Sequence, residues 1–304
     1  MRILVTGASG LIGSNLVERF RRSGIEVFTH MGRKDFNLTD REATKKMVEL
    51  CRPDVIYHLA ANAAESRGQV SPLDMTDRNL GIFLNVLVPA INCGIKRFIY
   101  TSSVAVYGDC QVPYNEDETP KPKDVYGVNK LASESILKIL SRVHGFDYTI
   151  FRPHNIYGPH QDMANPYKNV VALFMRNVME EKPITLYGEG KMKRAFSYVD
   201  DLVDVFEDAL NDKFRNQTVN VGSTYEVEII QLLNLIEEIA GKKAKKTMLP
   251  ARPQEIWNFL ANHNLQRQLT SYKETPLREG ITKTWEYLNL PAIKEEPNEI
   301  HTKS

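Results

Sequence analysis

The sequence predicts an α/β protein built on a doubly wound parallel sheet, with a smaller α/β lobe attached. Through the first half of the 304 residues, short apolar runs alternate with segments of helical periodicity. The runs are apolar throughout, which is typical of strands that helices cover on both faces. This alternation of strand and helix implies parallel strands joined by right-handed crossovers.

The elements of this sheet follow in chain order. The first strand is predicted at residues 3–5, and a glycine-rich turn joins it to an amphipathic helix with Leu16, Val17 and Phe20 on one face. Further strands are predicted at residues 27–29, 55–59, 97–101 and 148–151. Helices are predicted at about residues 41–51, 77–93 and 126–144.

The second lobe begins where this pattern loosens, after Arg152 and Pro153. Residues 218–222 have the pattern of one more strand of the large sheet, so we expect the two units to interleave. The larger unit is expected at residues 1–152 with about 193–223, and the smaller at about 153–192 with 224–291. Residues 292–304 are polar and are expected to form a flexible tail.

Composition excludes several classes of protein. Lys and Arg number 39 against 38 Asp and Glu, so no overall charge favours nucleic acid or a membrane surface. The early first strand and the lack of an apolar stretch of about 20 residues predict neither a signal peptide nor a membrane span. Cys51, Cys93 and Cys110 are widely spaced, so we expect a cytoplasmic protein without a structural metal.

The glycine-rich turn is the strongest functional signal. Gly7, Gly10 and Gly13 follow the first strand, with Leu11 and Ile12 between the last two. Such glycines allow a tight turn, close approach of the backbone to a diphosphate, and close packing of helix on strand. The following helix directs its N–H groups and its positive dipole end at the phosphates. We therefore expect a dinucleotide-binding unit of the Rossmann type.

A second signal is the pair Tyr126 and Lys130. Four residues apart on a helix, the phenol and the ammonium share one face. A nearby cation favours phenolate over phenol, which gives a base usable near neutral pH. Ser102 and Ser103 follow a buried strand, at the carboxyl edge where such sheets bind ligands. Beside a nicotinamide, a serine, a tyrosine and a lysine can together oxidise an alcohol.

These motifs resemble those of the extended short-chain dehydrogenases/reductases, in the nucleotide-sugar epimerase and dehydratase branch. The resemblance runs from residue 1 to about residue 290. Besides the glycine turn, it is carried by residues 58–61, 102–108, 126–130, 152–159 and 194–201.

The resemblance implies a role for each matched residue. Tyr126 is the base, Lys130 binds the ribose and tunes Tyr126, and Ser103 hydrogen-bonds the reacting sugar hydroxyl. The implied cofactor contacts are Gly7, Gly10, Leu11, Ile12, Gly13, Asn37, Leu38, Leu59, Ala60, Ala61, Tyr126 and Lys130. The implied contacts to a nucleoside-diphosphate sugar are Ser103, Asn155, Asn169, Arg194 and Arg252, with Leu186 and Tyr187 at the base.

Two departures from the relatives narrow the reaction. Dehydratases and decarboxylases of this branch carry an acid just after the active-site hydroxyl, where this chain has Val104 and Ala105. GDP-fucose synthases use a cysteine and a histidine, where Val104 and Asn169 stand here. The leading expectation is therefore a 4-epimerase of the UDP-glucose/UDP-galactose type, acting through a transient 4-keto sugar.

The third departure concerns the cofactor. NAD-specific members usually end the second strand with an acid, and that position lies near Met31 here. Arg33 and Lys34 follow, and their charges favour the 2′-phosphate of NADP, whereas epimerases commonly use NAD. Tightly bound NAD and NADP both stay open. The alternatives are an NADPH-dependent reductase of a 4-keto nucleotide sugar and a non-catalytic dinucleotide-binding regulator.

A homodimer is also expected, because relatives pair the helices at residues 79–93 and 126–144 into a twofold interface. The same apolar residues would alternatively pack against the sheet. These residues are Ile82, Phe83, Val86, Ile136, Leu137 and Leu140.

Overall fold

The computed structural model describes residues 1–30, 32, 36–63, 65–163, 170–251, 258–271 and 273–290. The strands are β1 (Ile3–Thr6), β2 (Val27–His30), β3 (Val55–His58), β4 (Arg97–Thr101), β5 (Asp147–Pro153), β6 (Ile156–Tyr157), β7 (Ile184–Tyr187), β8 (Lys193–Ala195), β9 (Ser197–Tyr198), β10 (Gln217–Val221), β11 (Glu226–Glu228), β12 (Lys246–Leu249) and β13 (Asn258–Phe259). The helices are α1 (Leu11–Arg22), α2 (Arg41–Cys51), α3 (Glu65–Val70), α4 (Pro72–Thr76), α5 (Ile82–Asn92), α6 (Val125–His144), α7 (Val170–Met179), α8 (Val199–Asp208), α9 (Ile229–Ala240), α10 (Asn264–Leu269) and α11 (Leu277–Asn289). In the described ranges, no helix has the length and apolar character needed to cross a membrane.

The central sheet has six parallel strands in the order β10-β5-β4-β3-β1-β2. Every residue of β1 and β3 is buried, as expected for strands covered on both faces. The chain runs from β1 to β2 on one side and returns to β3 on the other, so the winding direction reverses at β1. In such sheets, ligands bind at the carboxyl ends of the strands beside this reversal.

Helices cover the two faces of the sheet and enclose two separate cores. Ile3 and Val5 pack with α1 and α8 in a first core, whereas Leu4 packs with α2, α5 and α6 in a second. The alternation along β1 follows from the two-residue repeat of a strand. The predicted α/β class, with a doubly wound parallel sheet, is confirmed.

The predicted elements of the first half are all present, with bounds that match or shift by a few residues. The helix predicted at residues 41–51 is α2, with the same bounds, and the strand predicted at 218–222 is β10. The strand predicted at 148–151 extends to Pro153, because β10 continues to pair with it beyond the end of β4. The helix predicted at 77–93 begins as a π-helical turn, Asp77–Gly81, which leads into α5.

A third core lies outside the central sheet, among α7, α9, α11 and the short strands. Three small sheets accompany it, with the orders β11-β8-β13, β12-β7 and β6-β9. β8 pairs with β11 in one of these small sheets. α8 follows, and its Val199 and Phe206 pack in the first core, against the central sheet.

The apolar residues expected at a dimer interface lie in or against the second core, and this packing does not exclude an interface. Ile82, Phe83, Val86 and Leu137 are buried in the second core, and Ile136 and Leu140 pack against it. The exposed apolar residues of α5 and α6 are Val88, Val128, Ile139 and Val143. An interface through these helices would therefore use this second set.

Candidate active site

The glycine-rich turn lies directly against the end of β3. Gly7 has a φ of +73°, in the left-handed region that favours glycine, and a Cβ there would lie 2.7 Å from the Ala60 backbone nitrogen. A Cβ on Gly13 would lie 2.2 Å from the Gly7 carbonyl oxygen. Side chains at these positions would separate the turn, the helix and the loop after β3. The structure thus brings the turn together with Leu59 and Ala60.

The N-terminus of α1 suits an anionic ligand. Gly10 is the N-cap, with no side-chain hydrogen bond to the first N–H groups, and the first turn holds no acidic residue. The N–H groups and the dipole of this helix end attract phosphate. This cradle, which a Cβ would fill, fits a dinucleotide. Leu11 and Ile12 are partly buried beside it, and Ala61 is exposed.

Tyr126 lies in the first turn of α6, and this helix starts against the turn that carries Ser103. Asp124 caps the helix by accepting a hydrogen bond from the Gly127 backbone N–H at 2.7 Å. A Cβ on Gly127 would lie 2.6 Å from the Ala105 carbonyl oxygen. Tyr126 itself packs in one buried cluster with Ala105. The glycine after Tyr126 therefore allows the helix and the Ser103 turn to approach this closely.

Lys130 is buried, and its ammonium donates a hydrogen bond to the Thr101 carbonyl oxygen at 2.7 Å. Its Nζ lies 4.8 Å from the ring centre of Tyr100 and 5.6 Å from that of Tyr126. Burial lowers the pKa of Lys130 to about 7, against the opposing effect of the Glu134 carboxylate. The sequence suggested a permanently charged neighbour for Tyr126, whereas the burial of Lys130 in the structure favours its neutral form.

The two adjacent serines have different surroundings. The Ser103 Oγ accepts a hydrogen bond from the Ala105 N–H at 3.1 Å, which leaves its own hydroxyl proton to donate. The Ser102 hydroxyl is buried and donates to a Glu134 carboxylate oxygen at 2.5 Å. Of the two, Ser103 has the hydroxyl proton that a ligand can accept.

Asn155 and Arg194 are held close together. The Asn155 side-chain amide donates to the Ala195 carbonyl oxygen at 2.9 Å, and the Ser197 N–H donates to the Asn155 carbonyl at 3.2 Å. Arg194 precedes Ala195 on β8 and donates to the Lys193 carbonyl oxygen at 2.8 Å. An amide and a guanidinium therefore share one region, as a diphosphate site requires.

Two residues implied to contact ligands have buried side chains. Leu186 is 1% exposed in the third core, because the alternation of β7 turns it inward, and Leu38 packs in the second core. Only their backbone atoms can reach a ligand. Tyr187 is half-buried and Asn37 is exposed. Arg33, Lys34, Asn169 and Arg252 lie outside the described residues.

A family model, the NAD dependent epimerase/dehydratase family, matches residues 3–222 of this chain. The chain belongs to this family. The match extends from β1 through β10 and includes Ser103, Tyr126 and Lys130. The resemblance inferred from the motifs is confirmed, and with it the expectation of an enzyme of the NAD-dependent nucleotide-sugar epimerase/dehydratase type.

The proteins similar to this epimerase/dehydratase include UDP-glucose 4-epimerases and a decarboxylase. The UDP-glucose 4-epimerase of Thermotoga maritima, solved with UDP-glucose, is 29% identical with a TM-score of 0.87, covering 95% of this chain and 98% of that one. The UDP-glucose 4-epimerase of Thermus thermophilus, solved with NAD, is 27% identical with a TM-score of 0.86, covering 96% and 100%. The UDP-N-acetyl-alpha-D-glucosaminuronate decarboxylase of Bacillus cytotoxicus is 27% identical over 90% of this chain and 91% of that protein.

Buried polar residues support the site of this epimerase/dehydratase, and the sequence motifs assigned no role to two of them, Asn79 and Glu134. Asn79 donates to the Asn62 carbonyl oxygen at 3.2 Å and thereby fixes the loop after β3. His58 contacts the Thr6 hydroxyl at 2.9 Å, and burial lowers the pKa of this imidazole to about 3. Glu134 lies four residues after the lysine of the Tyr-Lys pair. Its spacing was the available signal, because Tyr126, Lys130 and Glu134 follow one another at intervals of four residues and so share one face of α6.

Proposed function

We propose that this protein is a nucleoside-diphosphate-sugar 4-epimerase of the UDP-glucose/UDP-galactose type. One observation carries the proposal: Tyr126 packs against the Ser103 turn, Lys130 is bonded to Thr101 just before that turn, and the turn holds Val104 and Ala105 instead of an acid. The similarity to two UDP-glucose 4-epimerases, one of them solved with UDP-glucose, supports it.

The residues of the site divide the proton chemistry between them. Tyr126, as phenolate, takes the proton of the sugar 4-hydroxyl while a 4-keto group forms, and later returns the proton to that oxygen. Lys130 favours the phenolate by its charge, and Ser103 donates a hydrogen bond to the reacting oxygen. A bound nicotinamide would supply reversible hydride transfer at sugar carbon 4, and return of the hydride to the opposite ring face would invert that carbon.

The apolar turn argues against the other reactions of the family. Elimination or loss of a carboxyl group needs a side chain that moves a proton or orients the acid. Val104 and Ala105 are both buried and carry no such group. The similarity to a decarboxylase is therefore one of fold and cofactor chemistry, and hydride transfer with Tyr126 is sufficient for epimerisation.

The substrate is held by its diphosphate. Asn155 and Arg194 bind it, with Asn169 and Arg252, while the sugar is gripped loosely enough to rotate as a 4-keto species. The planar guanidinium fork of arginine matches phosphate oxygens. We assign the dinucleotide to the unit formed by residues 1–152 with about 193–223, and the nucleotide sugar to the smaller lobe.

The cofactor is a tightly bound NAD or NADP in the glycine cradle. The Thermus thermophilus relative was solved with NAD, whereas Arg33 and Lys34 favour the 2′-phosphate of NADP. That basic pair also favours the second candidate function, an NADPH-dependent reductase of a 4-keto nucleotide sugar. Acid release of the co-purifying dinucleotide, followed by mass spectrometry, distinguishes NAD from NADP directly.

The test of the proposed function is turnover without added cofactor. Purified protein incubated with UDP-glucose should give a mixture of the two C4 epimers by NMR, and Tyr126→Phe should give none at the same protein concentration. Stoichiometric loss of NADPH absorbance with a 4-keto nucleotide sugar would instead indicate the reductase. Absence of epimers from UDP-, dTDP- and GDP-sugars alike would rule the epimerase out.

A further inference from the structure

Behind the proposed active site, a carboxylate and a guanidinium are both removed from solvent. Glu134, on α6, is 1% exposed and Arg152, on β5, is 2% exposed. Arg152 donates from Nη2 to one Glu134 oxygen at 2.6 Å and from Nε to the other at 3.0 Å. This two-pronged geometry is the strong form of an arginine–carboxylate pair.

The ion pair holds both ends of the turn that carries Ser103. Ser102, just before the turn, donates its hydroxyl to Glu134 at 2.5 Å. Tyr107, just after the turn, accepts a hydrogen bond on its hydroxyl oxygen from Arg152 Nη1 at 2.7 Å. The 3₁₀ turn Val104–Val106 lies between these two anchors. Glu134 is therefore bonded to one end of this short segment, and Arg152 is bonded to the other end.

The anchors are themselves tied to the rest of the sheet. The Tyr107 hydroxyl donates to the Asn220 side-chain oxygen on β10 at 2.7 Å. The Asn220 amide donates in turn to the Tyr114 carbonyl oxygen at 3.0 Å, and the Tyr107 and Tyr114 rings stack with centres 4.8 Å apart. The position of the Ser103 turn is therefore set relative to α6, β5 and β10 together.

A buried ion pair is not explained by stability alone. Desolvation of two charges costs about as much as their attraction returns, and well-packed apolar residues often replace such a pair without loss. We propose that Glu134 and Arg152 are positioning residues, which set the Ser103 hydroxyl relative to Tyr126 for the proton transfer. This inference rests on the proposed function and deepens it, since neither side chain touches the substrate.

Glu134 has a second, electrostatic effect on the same site. The groups that face Lys130 are Tyr126 and Glu134 from its own helix, Tyr100 from β4 and His58 from β3. Among the described residues, Glu134 supplies the negative charge that opposes the effect of burial on Lys130. Glu134→Gln should therefore shift the alkaline limb of the kcat–pH profile to lower pH, whereas a purely structural defect would lower kcat at every pH alike.

Ser102→Ala is the mildest test, because it removes one anchor and leaves the ion pair intact. Displacing a reacting group by a fraction of an ångström should lower kcat by about 10- to 100-fold, with KM for the nucleotide sugar changed by less than about twofold. The matched control is Ser141→Ala, which likewise removes a buried hydroxyl, one on α6 that donates to the Phe146 carbonyl oxygen. The control should keep kcat within about twofold of wild type. Equal kcat values for the two variants would overturn the proposal.

A double variant separates positioning from folding. Glu134→Met with Arg152→Met replaces the ion pair by apolar side chains of similar length, which should preserve the melting temperature and co-purifying dinucleotide. Turnover should nevertheless fall at least as far as in Ser102→Ala, and Tyr107→Phe, which breaks the other anchor, should lower kcat too. A folded double variant with wild-type kcat would refute the proposal. If the double variant does not fold, the kcat values of Ser102→Ala and Tyr107→Phe test the proposal.

Failure of the positioning role and failure of the proposed epimerase function give different results. If the wild type interconverts no nucleotide sugar, the epimerase assignment fails, and kcat carries no information on positioning. Crystal structures of wild type and Ser102→Ala then decide between the two possibilities. Displacement of the Ser103 Oγ relative to the Tyr126 hydroxyl supports positioning by the ion pair, and an unmoved Ser103 turn refutes it.

Discussion

Lys130 should make the protein less stable below neutral pH than above it, and Lys130→Met should remove this dependence. Burial lowers the pKa of Lys130 from 10.5 to about 7. Between these values the unfolded chain binds more protons than the folded one, so stability rises with pH across the window and is lowest below pH 7. At about 1.4 kcal/mol for each factor of ten in proton concentration, wild type should gain about 3 kcal/mol between pH 6 and pH 9.

Urea unfolding of wild type and Lys130→Met at pH 6 and pH 9, both freed of bound dinucleotide, measures this effect. At pH 6, removal of the buried charge in Lys130→Met should raise the free energy of unfolding by on the order of 5 kcal/mol. Loss of the hydrogen bond to Thr101 should offset about 1.5–3 kcal/mol of this gain. The variant should thus be about 3 kcal/mol more stable at pH 6, with no advantage at pH 9. Lys45→Met, at an exposed position of α2, should alter stability by less than about 0.5 kcal/mol at either pH.

The same substitution should abolish function. Without the ammonium beside its ring, Tyr126 loses the charge that favours phenolate, so turnover should fall by at least about 100-fold at pH 7. A stabilised and inactive Lys130→Met at pH 6 is the expected combination. A stability difference between wild type and Lys130→Met that is the same at both pH values would refute the assignment of burial as the dominant effect on Lys130.

Three further outcomes are expected. Gly13→Ala would place its Cβ 2.2 Å from the Gly7 carbonyl oxygen, so the purified variant should carry no dinucleotide on acid release, and normal loading would contradict the close-packed turn. Ile139→Glu, at a position 51% exposed on α6, should convert the proposed homodimer into monomers in sedimentation at micromolar concentration, and a monomeric wild type would contradict the dimer. Burial lowers the pKa of His154 to about 4 and that of its neighbour His263 to about 2, so the folded state disfavours their protonation and stability should fall as pH drops from 6.5. His263→Gln should flatten that fall in urea unfolding, and an unchanged slope would argue against this pair as its source.

The sequence predicted the central sheet because its signals are local. The continuous apolar runs give β1, β3 and β4, and the glycine turn places α1 directly after β1. Each of these follows from the periodicity or the conformational needs of a few adjacent residues. The helical spacing also correctly predicts a shared face for Tyr126 and Lys130, since i and i+4 positions adjoin on any helix.

The features of the fold and site that could not be predicted from the sequence depend on packing between segments that are distant in the chain. Leu186 and Tyr187 are adjacent in sequence, and only the third core decides that Leu186 faces inward. An apolar face on α5 or α6 can pack against the sheet or against a partner helix. The sequence alone therefore does not show which of the two Phe83 contacts, and only the structure places it in the second core. The electrostatic environment of Lys130 is the clearest case, because its pKa depends on burial that no spacing reveals.

Burial of charge explains how the site favours a phenolate. Lys130 and Arg152 carry two positive charges below pH 7 and Glu134 carries one negative charge, so this buried set has a net charge of +1. In a medium of low dielectric such an excess is strongly unfavourable, and loss of a proton from Tyr126 cancels it. The carboxylate of Glu134 acts in the same direction, because it stabilises the ammonium form of Lys130 against burial and so preserves the positive charge that favours a phenolate at Tyr126.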